Sequence, residues 1–485
     1  MIQSIDYVAI AAPLILALVA GAVLLLDAFL PRRTPGTLGL VTLAGVVAAF
    51  GVLMAQAAGG GRRRTFCVPD SLGGGGCSFV VDRFTLVMSG LALVAGIVVV
   101  LLSMAELTDR RIPAGEWYFL LLSALTGAVL LPAARDLATL VVALEVVSLP
   151  VFALTALKRY DGRASEAALK LFLVSVVSTA IMLFGVSLLY GLTGTLYLER
   201  LSPALSAASA GSGASGVVSV AVVLVLAGFA FKVAAVPFHF WAGDVYQGAP
   251  VPVAALLSVV SKAAGFAGLI LILVTGLRDQ ATLWGPVVAV VAAATMTAGN
   301  VLALRQRAAL RLLAWSSVAQ SGYILAPLAV VGGRAFTASM SYLVIYAAMN
   351  LGAFAVVMAI SRTAPRNELD DYRGLASRRP GTAVALGFFL VCLAGLPPGL
   401  AGLFAKVVVF REIVEGGLGW LAVVMAVNTV IGLYYYIAWT ARLFAPGPAG
   451  ASRTRSVPVT VAVGVAVLVT LAFSVAPQLV LSASG

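Results

Sequence analysis

Residues 216–241 read GVVSVAVVLVLAGFAFKVAAVPFHFW. An apolar run of this kind, near 20 residues, is what crosses a hydrocarbon core. Lys232 interrupts the run, and Pro237 follows five residues later. An ammonium group is expensive in that medium and marks an ion or proton path by default. Proline removes a helical hydrogen bond and clashes with the turn before it. The stretch therefore predicts a membrane helix that breaks, leaving carbonyls for protein or water to satisfy. Residues 392–406, CLAGLPPGLAGLFAK, repeat the combination with Pro397, Pro398 and Lys406. Two interrupted segments of this kind point to an all-α polytopic membrane protein with an ion site at the breaks.

Composition agrees. Of 485 residues, 61% are hydrophobic and 10% are charged, against roughly 45–50% and 25% in ordinary soluble domains. By the 20-residue rule the chain holds about 14 transmembrane helices: 8–30, 36–58, 84–106, 116–133, 135–157, 164–190, 216–237, 252–276, 280–303, 308–331, 335–361, 381–411, 418–441 and 457–481. The first lacks a basic leader and exceeds a signal peptide's apolar core, so it reads as a retained span.

The net charge of +12 fits loop arginines that hold spans in orientation better than a nucleic-acid surface. Loops after odd-numbered spans carry eighteen Lys and Arg residues, and loops after even-numbered spans carry nine. The larger set includes Arg32, Arg33, Arg110, Arg111, Arg159, Arg453 and Arg455. The positive-inside rule puts it in the cytoplasm, so both termini face outward. The run Arg62–Arg64 is an exception, in the outer loop GGGRRRTFCVPDSLGGGGC. Cys67 and Cys77 share that loop and can form a disulfide or stay as thiols.

The sort leaves Lys170, Lys232, Lys262 and Lys406, all inside apolar spans. The chain has five lysines in total against 26 arginines. A loop charge can be either residue. A proton carrier must be able to lose its proton, which buried lysine can do and arginine effectively cannot. Glu145 joins them near the middle of TLVVALEVVSLPVFAL, residues 139–154. Glu145 and Lys232 read as a charge pair tuning a proton carrier, with a static salt bridge as the plainer alternative. Lys262 reads as a relay, or as a lysine satisfied by carbonyls near the broken helix, and Lys406 as the terminal carrier, or as a lysine snorkelling to the outer interface. Lys170, seven residues after Arg163, either joins the path or snorkels to the interface. His239, just past Pro237, reads as a proton feeder or a loop residue, and Asp244 as a lesser candidate or a cap. Ser148, Ser175, Ser178, Thr179, Ser258, Ser261, Asn300, Tyr323, Asn350 and Tyr435 could support water wires, though each alone reads as packing glue.

Spans 4–8 and 9–13 form two five-helix units with the broken helix fourth in each. Five is odd, so the second unit enters the membrane inverted. The organisation is then 1–115, an N-terminal three-helix region; 116–276, the first repeat; 277–443, the second; and 444–485, a C-terminal span.

Five ordered motifs carry a resemblance: PFHFWAGDVYQGAPVPVAALLSVVSKAAGF (237–266), GNVLALRQRAALRLLAWSSVAQSGY (299–323), YAAMNLGAFAVV (346–357), LAGLPPGLAGLFAKVVVF (393–410) and NTVIGLYYY (428–436). Together they resemble the antiporter-like membrane subunits of respiratory complex I, and among them the subunit N family of bacterial NADH–quinone oxidoreductase. The resemblance implies proton translocation driven by quinone reduction in partner subunits of the membrane arm. Those partners would hold NADH, FMN, iron–sulfur clusters and quinone, with no cofactor in this chain, in a bacterial cell membrane. By motif position Glu145 and Lys232 match the family's acid–lysine pair, Lys262 the connecting lysine, Lys406 the distal carrier, and Lys170 a further family lysine. Gly243, Gln247 and Arg311 depart from a usual proline, glutamate and lysine.

The rivals are a subunit of a multisubunit sodium/proton antiporter and a passive membrane scaffold. A self-contained redox enzyme is disfavoured by one histidine, three cysteines and no CxxC pair, too few ligands for haem, iron–sulfur or structural zinc sites.

Overall fold

The computed structural model describes residues 5–29, 35–69, 76–107, 112–158, 161–210, 215–330, 332–447 and 456–484. Arg32, Arg33, Arg110, Arg111, Arg159, Arg453 and Arg455, which entered the charge sort, lie outside these residues. The described chain is helical apart from one short hairpin and connecting segments. Among the described residues, twelve helices are long and apolar enough to cross a membrane, and the protein is a multi-pass membrane protein.

Two of the expected spans fall outside those twelve for local reasons. The span at 308–331 is the 17-residue helix Ala309–Leu325, continued by a 3-10 turn, Ala326–Ala329, whose second residue is Pro327. The span at 381–411 is two helices, Pro380–Ala394 and Leu400–Glu415, parted around Pro397 and Pro398.

Polarity is arranged inside out. Large apolar side chains such as Val142, Leu149, Phe184 and Val430 are exposed, while Ser258, Ser317, Gln320, Ser321 and Asn350 are buried. That pattern suits lipid outside and a hydrogen-bonded interior. Acidic residues absent from the spans appear as N-caps. Asp82, Asp136 and Asp161 each accept backbone N–H groups at the start of the helix that follows, which satisfies donors a helix start leaves open.

The helices Val251–Gly276 and Gly333–Ser361 form the centre and are almost wholly buried. An apolar helix enclosed on all sides is expected to read hydrophobic all round. The first of them contains two π-turns, Leu257–Ser261 and Ile272–Gly276. Sequence reading treated it as a plain helix.

The loops hold two elements outside the expected spans, a hairpin and a short helix, and the first decides between the disulfide and the free thiols left open for Cys67 and Cys77. Strands Arg63–Cys67 and Cys77–Val81 pair antiparallel, and Cys67 and Cys77, opposite each other, are disulfide-bonded. A short helix, Leu198–Ala210, lies beside this hairpin, and Arg62 pairs with Glu199 at 3.2 Å. Below the hairpin, Arg135 reaches Asp82 at 2.7 Å. Burial opposes the charge on Asp82, but the guanidinium and the capping bonds from Thr85 outweigh it and hold the carboxyl below its ordinary range.

Candidate functional site

Both lysine-bearing segments break where the prolines stand. The helix Ser215–Lys232 ends on Lys232, and the chain resumes as Trp241–Gly248. The freed groups find partners on neighbouring helices. The Val233 carbonyl accepts from Ser321 Oγ at 2.7 Å, and the Val236 N–H donates to Thr295 Oγ1 at 3.0 Å. At the second break Gly395 adopts φ +81°, and a Cβ on Gly402 would stand 1.7 Å from the Cys392 carbonyl oxygen. Only glycine permits that approach.

Lys232 Nζ donates to Ser148 Oγ at 2.6 Å, to Ser175 Oγ at 3.3 Å and to Glu145 Oε1 at 3.4 Å. Glu145 Oε1 also accepts from Thr179 Oγ1 at 2.8 Å. The ammonium is thus closer to a hydroxyl than to its carboxylate. A cavity of about 20 Å³ borders Ser148, Ser175, Lys232 and Ser261, close to the volume that one water needs.

Lys262 follows the first π-turn directly, and such turns often mark functional positions. Its Nζ donates to the Ser317 carbonyl and to Ser317 Oγ, both at 2.6 Å. Tyr346 OH donates to the same hydroxyl at 2.8 Å. Ser316 Oγ lies 2.5 Å from Tyr436 OH, and Gln320 Nε2 donates to that phenol at 3.3 Å. Gln320 Nε2 also reaches the Leu393 carbonyl at 3.5 Å, and Lys406 Nζ donates to the same carbonyl at 3.3 Å. The Ala394 carbonyl is closer to Lys406, at 2.7 Å, and the Tyr323 ring lies 5.4 Å from the ammonium. Lys232, Lys262 and Lys406 are 7%, 2% and 8% exposed.

Lys232 and Lys406 differ in their settings. Lys406 reaches back to the last carbonyls of the helix before it, so its ammonium sits at the negative end of a half-helix. Lys232 is the last residue of its helix, and its ammonium lies on side chains of neighbouring helices. Among the described residues neither Lys262 nor Lys406 pairs with a carboxylate.

The expected residues divide. Lys232, Lys262 and Lys406 lie in the interior, with Glu145 partly buried beside Lys232. Lys170 does not: its side chain is 43% exposed and pairs with Glu166 at 2.7 Å and Asp244 at 2.8 Å. Asp244 also meets Arg311 at 3.1 Å. These residues line an open cavity of about 300 Å³. Gln247 and Arg311, two of the departures from the family pattern, touch each other there, with Nη1 donating to Oε1 at 3.2 Å. His239 stands in the first break, edge-on to Trp315, with ring centroids 5.8 Å apart. Among the described residues it makes no hydrogen bond to a lysine.

Sequence reading missed Ser316, Ser317, Gln320, Tyr342, Tyr346 and Tyr436, which hydrogen-bond to one another or to Lys262; Tyr342 OH donates to Gln320 Oε1 at 2.7 Å. A signal existed in AWSSVAQSGY, residues 314–323, where Ser317, Gln320 and Ser321 recur at helical spacing. No group of three or more metal-ligating side chains occurs among the described residues.

The family described as NADH:quinone oxidoreductase/Mrp antiporter, TM, matches residues 134–432. NADH-quinone oxidoreductase subunit N 2 of Streptomyces griseus is 54% identical over 462 residues, covering 94% of this chain and 85% of that protein. Subunit N of Salinispora tropica is 44% identical over 520 residues and covers 99% of both. A chain of respiratory complex I from Thermus thermophilus, solved with bound aureothin, superposes with a TM-score of 0.79 at 32% identity, covering 98% of this chain and 100% of that one. A chain of the Mrp complex from Dietzia sp. shares the fold, with a TM-score of 0.84 at 24% identity over 99% and 96% of the two chains. The chain belongs to the subunit N family of NADH-quinone oxidoreductase, within the broader NADH:quinone oxidoreductase/Mrp antiporter family.

Proposed function

We propose that the chain is a proton-translocating subunit of a bacterial NADH–quinone oxidoreductase, and that Lys232, Lys262 and Lys406 carry protons across it. The observation that carries this reading is the polar line through an apolar bundle. It runs from Glu145 and Lys232, past the cavity at Ser261, to Lys262 and Ser317, then through Ser316, Tyr436 and Gln320 to Lys406.

Protons enter from the cytoplasmic side near Lys170 and Asp244, with His239 as a further entry residue, and leave outward past Lys406. Glu145 acts as the switch. At an effective dielectric near 20, drawing its carboxylate from about 4 to about 7 Å from Lys232 weakens their attraction by roughly 1.8 kcal/mol. That changes the lysine's proton equilibrium by about twentyfold. The two five-helix units at 116–276 and 277–443, within a 14-span bundle whose termini face outward, give each break a half-channel to one face. Redox chemistry, with NADH, FMN, iron–sulfur clusters and quinone, belongs to partner subunits of the membrane arm, and this chain supplies no cofactor.

The test is Lys232→Ala and Glu145→Ala in the intact complex. Both should leave assembly and flavin content unchanged and lower the protons moved per NADH oxidised. Undiminished pumping in both would overturn the assigned roles. The Mrp likeness supports a second reading, a subunit of a sodium/proton antiporter. Purifying the tagged chain with its partners separates the two, because only the oxidoreductase complex shows flavin and iron–sulfur absorbance.

A further inference from the structure

A cleft of about 960 Å³ opens away from the lysine line. It is at the top of the range, about 300–1,000 Å³, for cavities that enclose a whole small ligand. The helices Pro35–Gly59 and Val457–Val475 each pack against Arg83–Glu106 and form its two sides, with Gly333–Ser361 at its back. Its lining is apolar except at one end, where Arg62, Asp82 and Arg83 gather beside the hairpin. From Arg83 to Val98 the cleft follows sixteen helical residues, fifteen rises and a depth of about 22 Å. One leaflet of a hydrocarbon core about 30 Å thick is shallower than that.

We propose that this cleft binds one anionic phospholipid of the leaflet on the hairpin side, with its acyl chains along Leu86–Val98 and its phosphate between Arg62 and Arg83. The charges at the mouth favour an anion. Asp82 is committed to Arg135 at 2.7 Å. Arg62 and Glu199 form a pair with side chains 40% and 54% exposed, and exposed pairs of that kind hold together weakly. Arg83 is exposed. Two guanidinium groups at the end of an apolar channel match a phosphate with hydrocarbon tails. A partner's transmembrane helix would fill the apolar length but would need an acid of its own at the level of the two arginines, whereas a phospholipid carries its phosphate there by construction.

The test uses the purified complex in vesicles doped with phosphatidylglycerol carrying a diazirine in one acyl chain, against the phosphatidylcholine counterpart. After irradiation, phosphatidylglycerol should label peptides covering 86–98 and 465–473, and unlabelled phosphatidylglycerol should compete better than phosphatidylcholine. Arg62→Gln and Arg83→Gln should each reduce that preference by about fivefold, the scale of one basic residue facing anionic lipid. Gly90→Trp should abolish labelling, because a Cβ at Gly90 meets only Leu53, at 3.6 Å, and the added ring grows into the cleft. If Gly90→Trp fails to assemble, the two arginine variants decide the matter alone. Equal labelling by both lipids, arginine variants with unchanged preference, or a partner-subunit helix cross-linked into the cleft in place of lipid would each overturn the proposal.

Discussion

Lys406 is held by two backbone carbonyls and an aromatic face, with no acid among the described residues to fix its charge. Such a site keeps an ammonium hydrogen-bonded without a carboxylate counter-charge. Lys406→Arg preserves a cation but cannot release a proton. It should assemble and lower pumping by about a hundredfold, the lower end of what a positioned proton donor contributes; proton uptake in reconstituted vesicles measures this, and near-normal pumping would remove Lys406 from the path. Asp82 offers a contrast outside the spans. Its carboxyl is held below the ordinary range by Arg135 and the capping bonds despite burial. A depressed folded-state value contributes stability above the ordinary aspartate range, and that contribution is lost as pH falls through the folded value. Asp82→Asn should therefore destabilise the protein by about 3 kcal/mol at neutral pH, as expected when a largely buried pair loses one partner. The gap from the parent should close below about pH 4. Thermal unfolding in detergent across pH would show it, and a gap that stayed constant would refute the pairing.

At the scale of elements, the helix Ala309–Leu325 joins the two broken segments. Its Ser321 closes the Val233 carbonyl of the first break, its Ser317 holds Lys262, and its Gln320 reaches the Leu393 carbonyl at the second. Ser317→Ala leaves Lys262 with one carbonyl and Tyr346 with the Ser258 carbonyl, at 3.3 Å, in place of its shorter bond. Pumping should fall by about tenfold, the cost of one hydrogen bond to a charged group, while Ser317→Thr retains most of it. Loss of assembly in Ser317→Ala, with Ser317→Thr equally inactive, would make the residue structural only. The breaks themselves were legible because proline acts on its own turn. The division of 381–411 into two helices follows from the same residues. The π-turn ahead of Lys262 was not legible, since LLSVVSKAAGF carries no proline and has ordinary helical composition.

Over the whole molecule, charge and polarity sort by depth. Among the described residues arginines lie in connecting segments, in the hairpin or toward helix ends, three lysines occupy the interior, and Lys170 lies at an open mouth with Glu166, Asp244 and Arg311. The hairpin and the helix Leu198–Ala210 cover one end of the bundle and set the arginines at the lipid-sized cleft.

The sequence alone determined the membrane class, the position of nearly every span, the two breaks and the choice of lysine over arginine inside. Each is a local property, a sum of hydropathy over about twenty residues or the chemistry of a single side chain. Only the tertiary structure decided that Lys170 is at the mouth and not in the interior, that Lys232 faces Ser148 more closely than Glu145, and that Ser317 meets Lys262 while Gln320 shares the Leu393 carbonyl with Lys406. Those facts depend on how each helix is rotated and how deep it sits against its neighbours. In an apolar span, where nearly every face is hydrophobic, residue order carries little information about rotation.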